Sequence, residues 1–111
     1  MTDSPTAIRE VTPQEADELR STGATLLDVR EQVEWDAGHI PGAVHRPYHD
    51  IDAVPPGIDP ERPVAVICAS GQRAAVAASL MRLHGARDVI HVVDGGVPRW
   101  AREGWPLEST G

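Results

Sequence analysis

The sequence contains no lysine and no phenylalanine, and it has one cysteine, one tyrosine and two methionines among 111 residues. Without lysine there is no amine for Schiff-base chemistry and no P-loop lysine for nucleotide phosphates. A single cysteine excludes an internal disulfide and any Cys-x-x-Cys redox or zinc pattern. All ten basic residues are arginine, and the formal net charge is −7. That balance argues against nucleic acid or an anionic membrane as a partner. No apolar run approaches the roughly 20 residues that span a bilayer. The stretch 1–6 is polar and lacks the apolar segment of a secretory signal. It reads as a disordered lead-in to one domain over residues 7–108 of a cytoplasmic protein. Apolar residues make up 41% of the chain. Leu, Val, Ile, Ala and the three tryptophans must therefore build the core.

Segments alternate in character along the chain. Ile8 to Val11 suits a short first strand. Thr12-Pro13-Gln14-Glu15 is a helix start: Thr12 caps, Pro13 takes the first helical position and Glu15 closes a capping box. Val11 and Ala16 stand where a hydrophobic staple would form. This helix runs to about Ser21 and Gly23 ends it. Thr25 to Val29 reads as a buried strand, Glu31 to Ala37 as a short helix closed by Gly38, and His39 to Gly42 as a turn. Ala43 to His45 suits a very short strand. Residues 46–63 read as irregular, with four prolines between Pro55 and Pro63 predicting an extended surface loop. Val64 to Ile67 is a further buried strand. The helix from Gln72 to His84 carries Val76, Leu80 and Leu83 at i, i+4 and i+7, the expected apolar stripe. Val89 to Val93 is the fifth strand, and Asp94-Gly95-Gly96 turns into a last short helix through Trp100. Strands alternating with helices predict an α/β fold with a five-stranded parallel sheet covered on both faces. Ligands of such sheets sit beyond the carboxyl ends of the strands. Asp28, Cys68 and Asp94 should therefore share one edge.

The stretch Val64 to Arg73 organises the rest. A strand, a tight loop and a helix follow each other, which puts Cys68 just before a helix N-terminus. Backbone N–H groups converge there and the helix dipole is positive, so a thiol in that place is favoured as its thiolate. A lone cysteine is ordinarily an inert buried residue. Here its position argues for a nucleophile, with Ala69, Ser70, Gly71, Gln72 and Arg73 as the cradle of an anionic substrate. Gly71 serves as a turn glycine or lets the backbone approach the anion, and both readings are compatible. Arg73 either points into solvent, unfavourably placed against the helix dipole, or grips an anionic donor through its guanidinium. Asp28, Arg30, Glu34 and His39 read as structural support. Arg30 and Glu34, four apart at a helix start, are expected to pair, and Asp28 to accept from loop N–H groups. His39 in its Gly-His-Ile-Pro turn reads as a turn residue, not a general base. His45 and His49 are four apart, like zinc ligands on a helix, but Pro47 interrupts such a helix and no metal site is expected. Trp35, Trp100 and Trp105 read as packing.

Three ordered pieces of this chain resemble the single-domain rhodanese-like sulfurtransferases. The first is Leu26-Leu27-Asp28-Val29-Arg30 with Glu34-Trp35 and Gly38-His39-Ile40-Pro41-Gly42-Ala43. The second is the loop Cys68-Ala69-Ser70-Gly71-Gln72-Arg73. The third is Gly95-Gly96 with Trp100 and then Gly104-Trp105-Pro106-Leu107. The resemblance spans about Ile8 to Leu107. It implies a rhodanese-like fold and a Cys68 persulfide that moves sulfur from a small anionic donor such as thiosulfate, or from a persulfide, to cyanide, a thiol or a protein. No cofactor is implied. Ala74 stands where many relatives have Ser or Thr, and Ala69 and Ser70 stand where thiosulfate-specific relatives carry basic residues. Other readings are a sulfur carrier or a protein-binding regulatory module of the same fold. A cysteine phosphatase or arsenate reductase is a more distant reading, because their loops hold one residue more between Cys and Arg.

Overall fold

The computed structural model of the protein describes residues 8–109. The lead-in expected over residues 1–6 lies outside them. Five strands alternate with four helices: β1 (Arg9–Val11), α1 (Pro13–Arg20), β2 (Thr25–Asp28), α2 (Gln32–Ala37), β3 (Val44–His45), β4 (Val64–Ile67), α3 (Gln72–Leu83), β5 (Val89–Val92) and α4 (Gly96–Arg102). All strand pairings are parallel, in the order β1-β5-β4-β2-β3. The expected α/β architecture is present.

Local chemistry sets the elements. Thr12 Oγ1 accepts from Glu15 N–H at 3.2 Å, and Glu15 Oε1 accepts from Thr12 N–H at 2.8 Å, so the capping box forms with Pro13 in the first turn. β4 is apolar on both sides because it is the central strand, buried throughout. Val64 and Val66 pack with Leu27, Val89 and α3, while Ala65 and Ile67 pack with Leu26, Ile90, Val92, Ala16 and Trp100. Two cores thus lie on opposite faces of one sheet.

Two expectations need correction. The buried face of α3 is Ala74, Ala77, Ala78 and Met81, whereas Val76 and Leu83 are 50% and 74% exposed. Alanines let the helix lie close to the sheet; Val76 and Leu83 occupy the outer face instead, and of the expected stripe Leu80 alone packs, half-buried, against the core. The proline segment is also not wholly a surface loop, because Ile51, Pro55 and Ile58 are buried and the two isoleucines join the α3 core. A 3-10 turn, Tyr48–Asp50, introduces it. Among the described residues, no helix is long and apolar enough to cross a membrane.

Candidate active site

Register aligns the strand ends. Asp28 lies opposite Ile67, and Val66 opposite His91, so the residues after β2, β4 and β5 emerge on one edge. Cys68 follows β4 directly. Its Sγ accepts the Gly71 N–H at 3.0 Å and the Ala74 N–H at 3.3 Å. The sulfur therefore sits beneath the first turn of α3. Gly71 makes this possible by adopting φ +101° at the N-cap. Cys68 is fully buried, while Ser70 and Gln72 on the loop are exposed and Ala69, Gly71 and Arg73 half-buried.

A second helix grips the cysteine from behind. Val97 N–H at the start of α4 donates to the Cys68 carbonyl at 3.0 Å. Gly96 approaches so closely that a Cβ there would stand 1.9 Å from that oxygen. Asp94 shares the edge, but its carboxylate pairs with Arg99.

Arg73 does not point freely into solvent. Its two terminal nitrogens donate to the Glu34 carboxylate at 2.6 and 3.0 Å, a bidentate pair from α3 to α2. The guanidinium lowers the Glu34 carboxyl to about 2, with a smaller contribution from the Glu31 N–H, which donates to Glu34 Oε1 at 2.9 Å. The Arg73 pKa is raised in turn, first by that same bond.

The Arg30–Glu34 pairing expected from helical spacing is therefore not formed. Arg30 turns back to Asp28, donating Nε at 3.0 and 3.1 Å and Nη2 at 2.8 Å, while its backbone N–H reaches the same carboxylate at 3.0 Å. Both residues are buried. Arg30 Nη2 also donates to the Gly38 carbonyl at 2.8 Å, tying the end of β2 to the end of α2. This fixes the helix that delivers Glu34.

His39 donates Nδ1–H to the Trp35 carbonyl at 2.8 Å and stacks on the Trp35 ring at 3.7 Å. His45 also stacks on the Trp35 ring, at 4.7 Å, and donates Nε2–H to the Arg30 carbonyl at 2.8 Å. His49 turns elsewhere, to the Glu31 carboxylate at 3.0 Å. That bond raises its pKa.

His91 is a site residue that sequence reasoning missed. Its Nε2 lies 2.7 Å from the Gly71 carbonyl, which can only accept, so Nε2 carries the proton. Its Nδ1 is 3.6 Å from a Glu10 carboxylate oxygen. In a trans peptide the N–H points opposite the C=O. Holding the Gly71 carbonyl outward thus aims the Gln72 N–H into the loop. The signal was a polar residue on the α3-facing side of β5, at its carboxyl end. His91→Leu leaves Gly71 O with only the Ala75 N–H, at 3.0 Å. It should destabilise the fold by about 1 kcal/mol, read as a lower melting temperature, with rescue by His91→Gln. Equal melting of His91→Leu and wild type would deny that bond a structural role.

Comparison with known proteins places the chain in a family. The profile of the Rhodanese-like domain matches residues 12–103. The chain belongs to the rhodanese-like family. It is 35% identical over 104 residues to the protein named thiosulfate sulfurtransferase GlpE from Pseudomonas syringae pv. syringae (strain B728a), covering 94% of this chain and 96% of that one. Among solved structures it is similar to a rhodanese-like domain protein from Staphylococcus aureus, with TM-score 0.78 and 27% identity over 94% of this chain and all of that one. A rhodanese-related protein from Thermoplasma volcanium gives TM-score 0.75 and 29% identity, covering 90% and 97%. These relatives support sulfurtransferase activity in general.

Proposed function

We propose that the chain, acting as one domain over residues 7–108, moves a sulfane sulfur through a persulfide on Cys68. The observation that carries this is the pair of N–H bonds to Cys68 Sγ beneath the α3 N-terminus. Amides and a helix end aimed at one sulfur stabilise negative charge there. The Cys68 thiolate attacks the terminal sulfur of thiosulfate or of a persulfide. A sulfur–sulfur bond forms to Cys68 as the donor's own bond breaks, and sulfite or a thiolate leaves with the electron pair. Residues Ala69, Ser70, Gly71, Gln72 and Arg73 surround the added sulfur. Cyanide, a thiol or a protein acceptor then takes that sulfur and returns the Cys68 thiolate, by the logic of thiol–disulfide exchange. Asp28, Arg30 and His39 hold the frame and touch no reacting atom.

Intact mass tests this on the reduced protein. Incubation with thiosulfate or inorganic polysulfide should add one sulfur atom to the wild type and none to Cys68→Ser, and cyanide should remove it. Loading that only a protein acceptor discharges would make the chain a carrier. Failure of every donor would leave a binding module and defeat the proposal.

A further inference from the structure

We propose that Glu34 selects the sulfur donor: by pairing with Arg73 it disfavours sulfonate-type oxyanions such as thiosulfate and favours thiol persulfides. This deepens the reading above and rests on Cys68 accepting sulfur.

Arg73 is the only charged side chain between Cys68 and Ala74. It lies in the first turn of α3, directly before the residue whose N–H reaches Sγ. An oxyanion donor would use this guanidinium for binding, since two parallel N–H groups match two oxygens. Both terminal nitrogens instead face the Glu34 carboxylate. An approaching dianion meets a pair with no net charge. The Glu31 carboxylate also acts on Arg73 and adds no attraction.

Glu34 is not free to swing away. Its Oε1 takes the Glu31 N–H within the capping box of α2. α2 is held at its far end by Arg30 through the Gly38 carbonyl. Glu34 stays ionised at any physiological pH, its carboxyl being held at about 2. The charge that masks Arg73 is therefore present throughout that range.

The two donors differ in what leaves. With thiosulfate, Cys68–S⁻ and S–SO₃²⁻ give Cys68–S–S⁻ and sulfite dianion, so two charges depart. With a persulfide, Cys68–S⁻ and R–S–SH give Cys68–S–SH and R–S⁻. Only one charge departs, on a soft sulfur that does not require a guanidinium fork. No oxidant or reductant enters either step.

The test compares single-turnover loading, by intact mass, from thiosulfate and from an alkyl persulfide that carries no oxyanion group. Glu34→Gln keeps the size of the side chain and an acceptor for the Glu31 N–H but releases the Arg73 charge. The thiosulfate-to-persulfide rate ratio should rise about five-fold, the upper end of what one surface charge contact is worth. Thiosulfate loading should then weaken with added salt. In an Arg73→Gln background the same change should leave the ratio unmoved. A ratio that stays level or falls in Glu34→Gln overturns the proposal and would mean that Glu34 merely orients Arg73. Wild type that loads from neither donor refutes sulfur transfer itself, which separates the two failures.

Discussion

Cys68→Ser is expected to lose sulfur transfer altogether while keeping the shape of the loop. Sγ is both the proposed nucleophile and the acceptor for two backbone donors, from Gly71 and Ala74. A serine oxygen still accepts both bonds but is a poor nucleophile without an adjacent base. Cys68→Ala removes the acceptor as well. It strands two N–H groups beneath a fully buried position, at a cost of about 1–3 kcal/mol. Turnover should fall at least about 10³-fold in both variants, with the alanine protein melting lower than the serine protein. Residual turnover in Cys68→Ser above the protein-free rate would place the chemistry elsewhere. Equal melting of the two variants would remove the structural role assigned to the sulfur.

The second large effect belongs to Gly96. Its φ of +52° is tolerable for some residues, but a Cβ there would sit 1.9 Å from the Cys68 carbonyl oxygen and 2.9 Å from the Ala69 oxygen. Both obstacles are backbone, which a rotamer change cannot relieve. Either α4 retreats and the Val97 N–H loses the Cys68 carbonyl, or the Cys68 peptide rotates and misdirects its sulfur. Gly96→Ala should cost ~3 kcal/mol or more, and displacement of the sulfur should slow transfer about 10²-fold. Gly104→Ala is the control. It also has positive φ, +81°, but nothing lies within 4 Å of its Cβ, so it reports backbone strain alone, about 1 kcal/mol. Differential scanning calorimetry on the two should separate them. Equal destabilisation would mean that collision with Cys68 contributes nothing.

Local sequence carried the frame of this protein because its signals are local. Thr12, Pro13 and Glu15 lie within one turn, and the run from Val64 to Gly71 changes period at Cys68 itself. Pairs across the fold were not legible. Glu34 and Arg73 are 39 positions apart, and helical spacing offered Arg30 as the nearer partner. Arg30 chose Asp28 because that carboxylate, two residues back at a buried strand end, accepts its backbone and its side chain together. The stripe on α3 held only at Leu80, for a related reason. Reading the largest apolar residues as the buried ones overlooks how near a helix of alanines can lie to a sheet. His91 escaped notice because a histidine between valines and isoleucines looks like a strand residue until the loop it faces is known.

The grip on Cys68 has a consequence for how the chain comes into being. Its partners are spread along the sequence: Glu34 reaches the loop from α2, His91 from β5, and Gly96 and Val97 from α4. Emerging from a ribosome, the cysteine appears after Glu34 but well before His91, Gly96 and Val97. A chain ending before α4 has the nucleophile but not the support behind its carbonyl. Competence should therefore arrive late and all at once, with the long-range contacts of the sheet. During refolding, uptake of a labelled sulfur atom should track the slowest structural phase, making the persulfide a chemical reporter of finished folding.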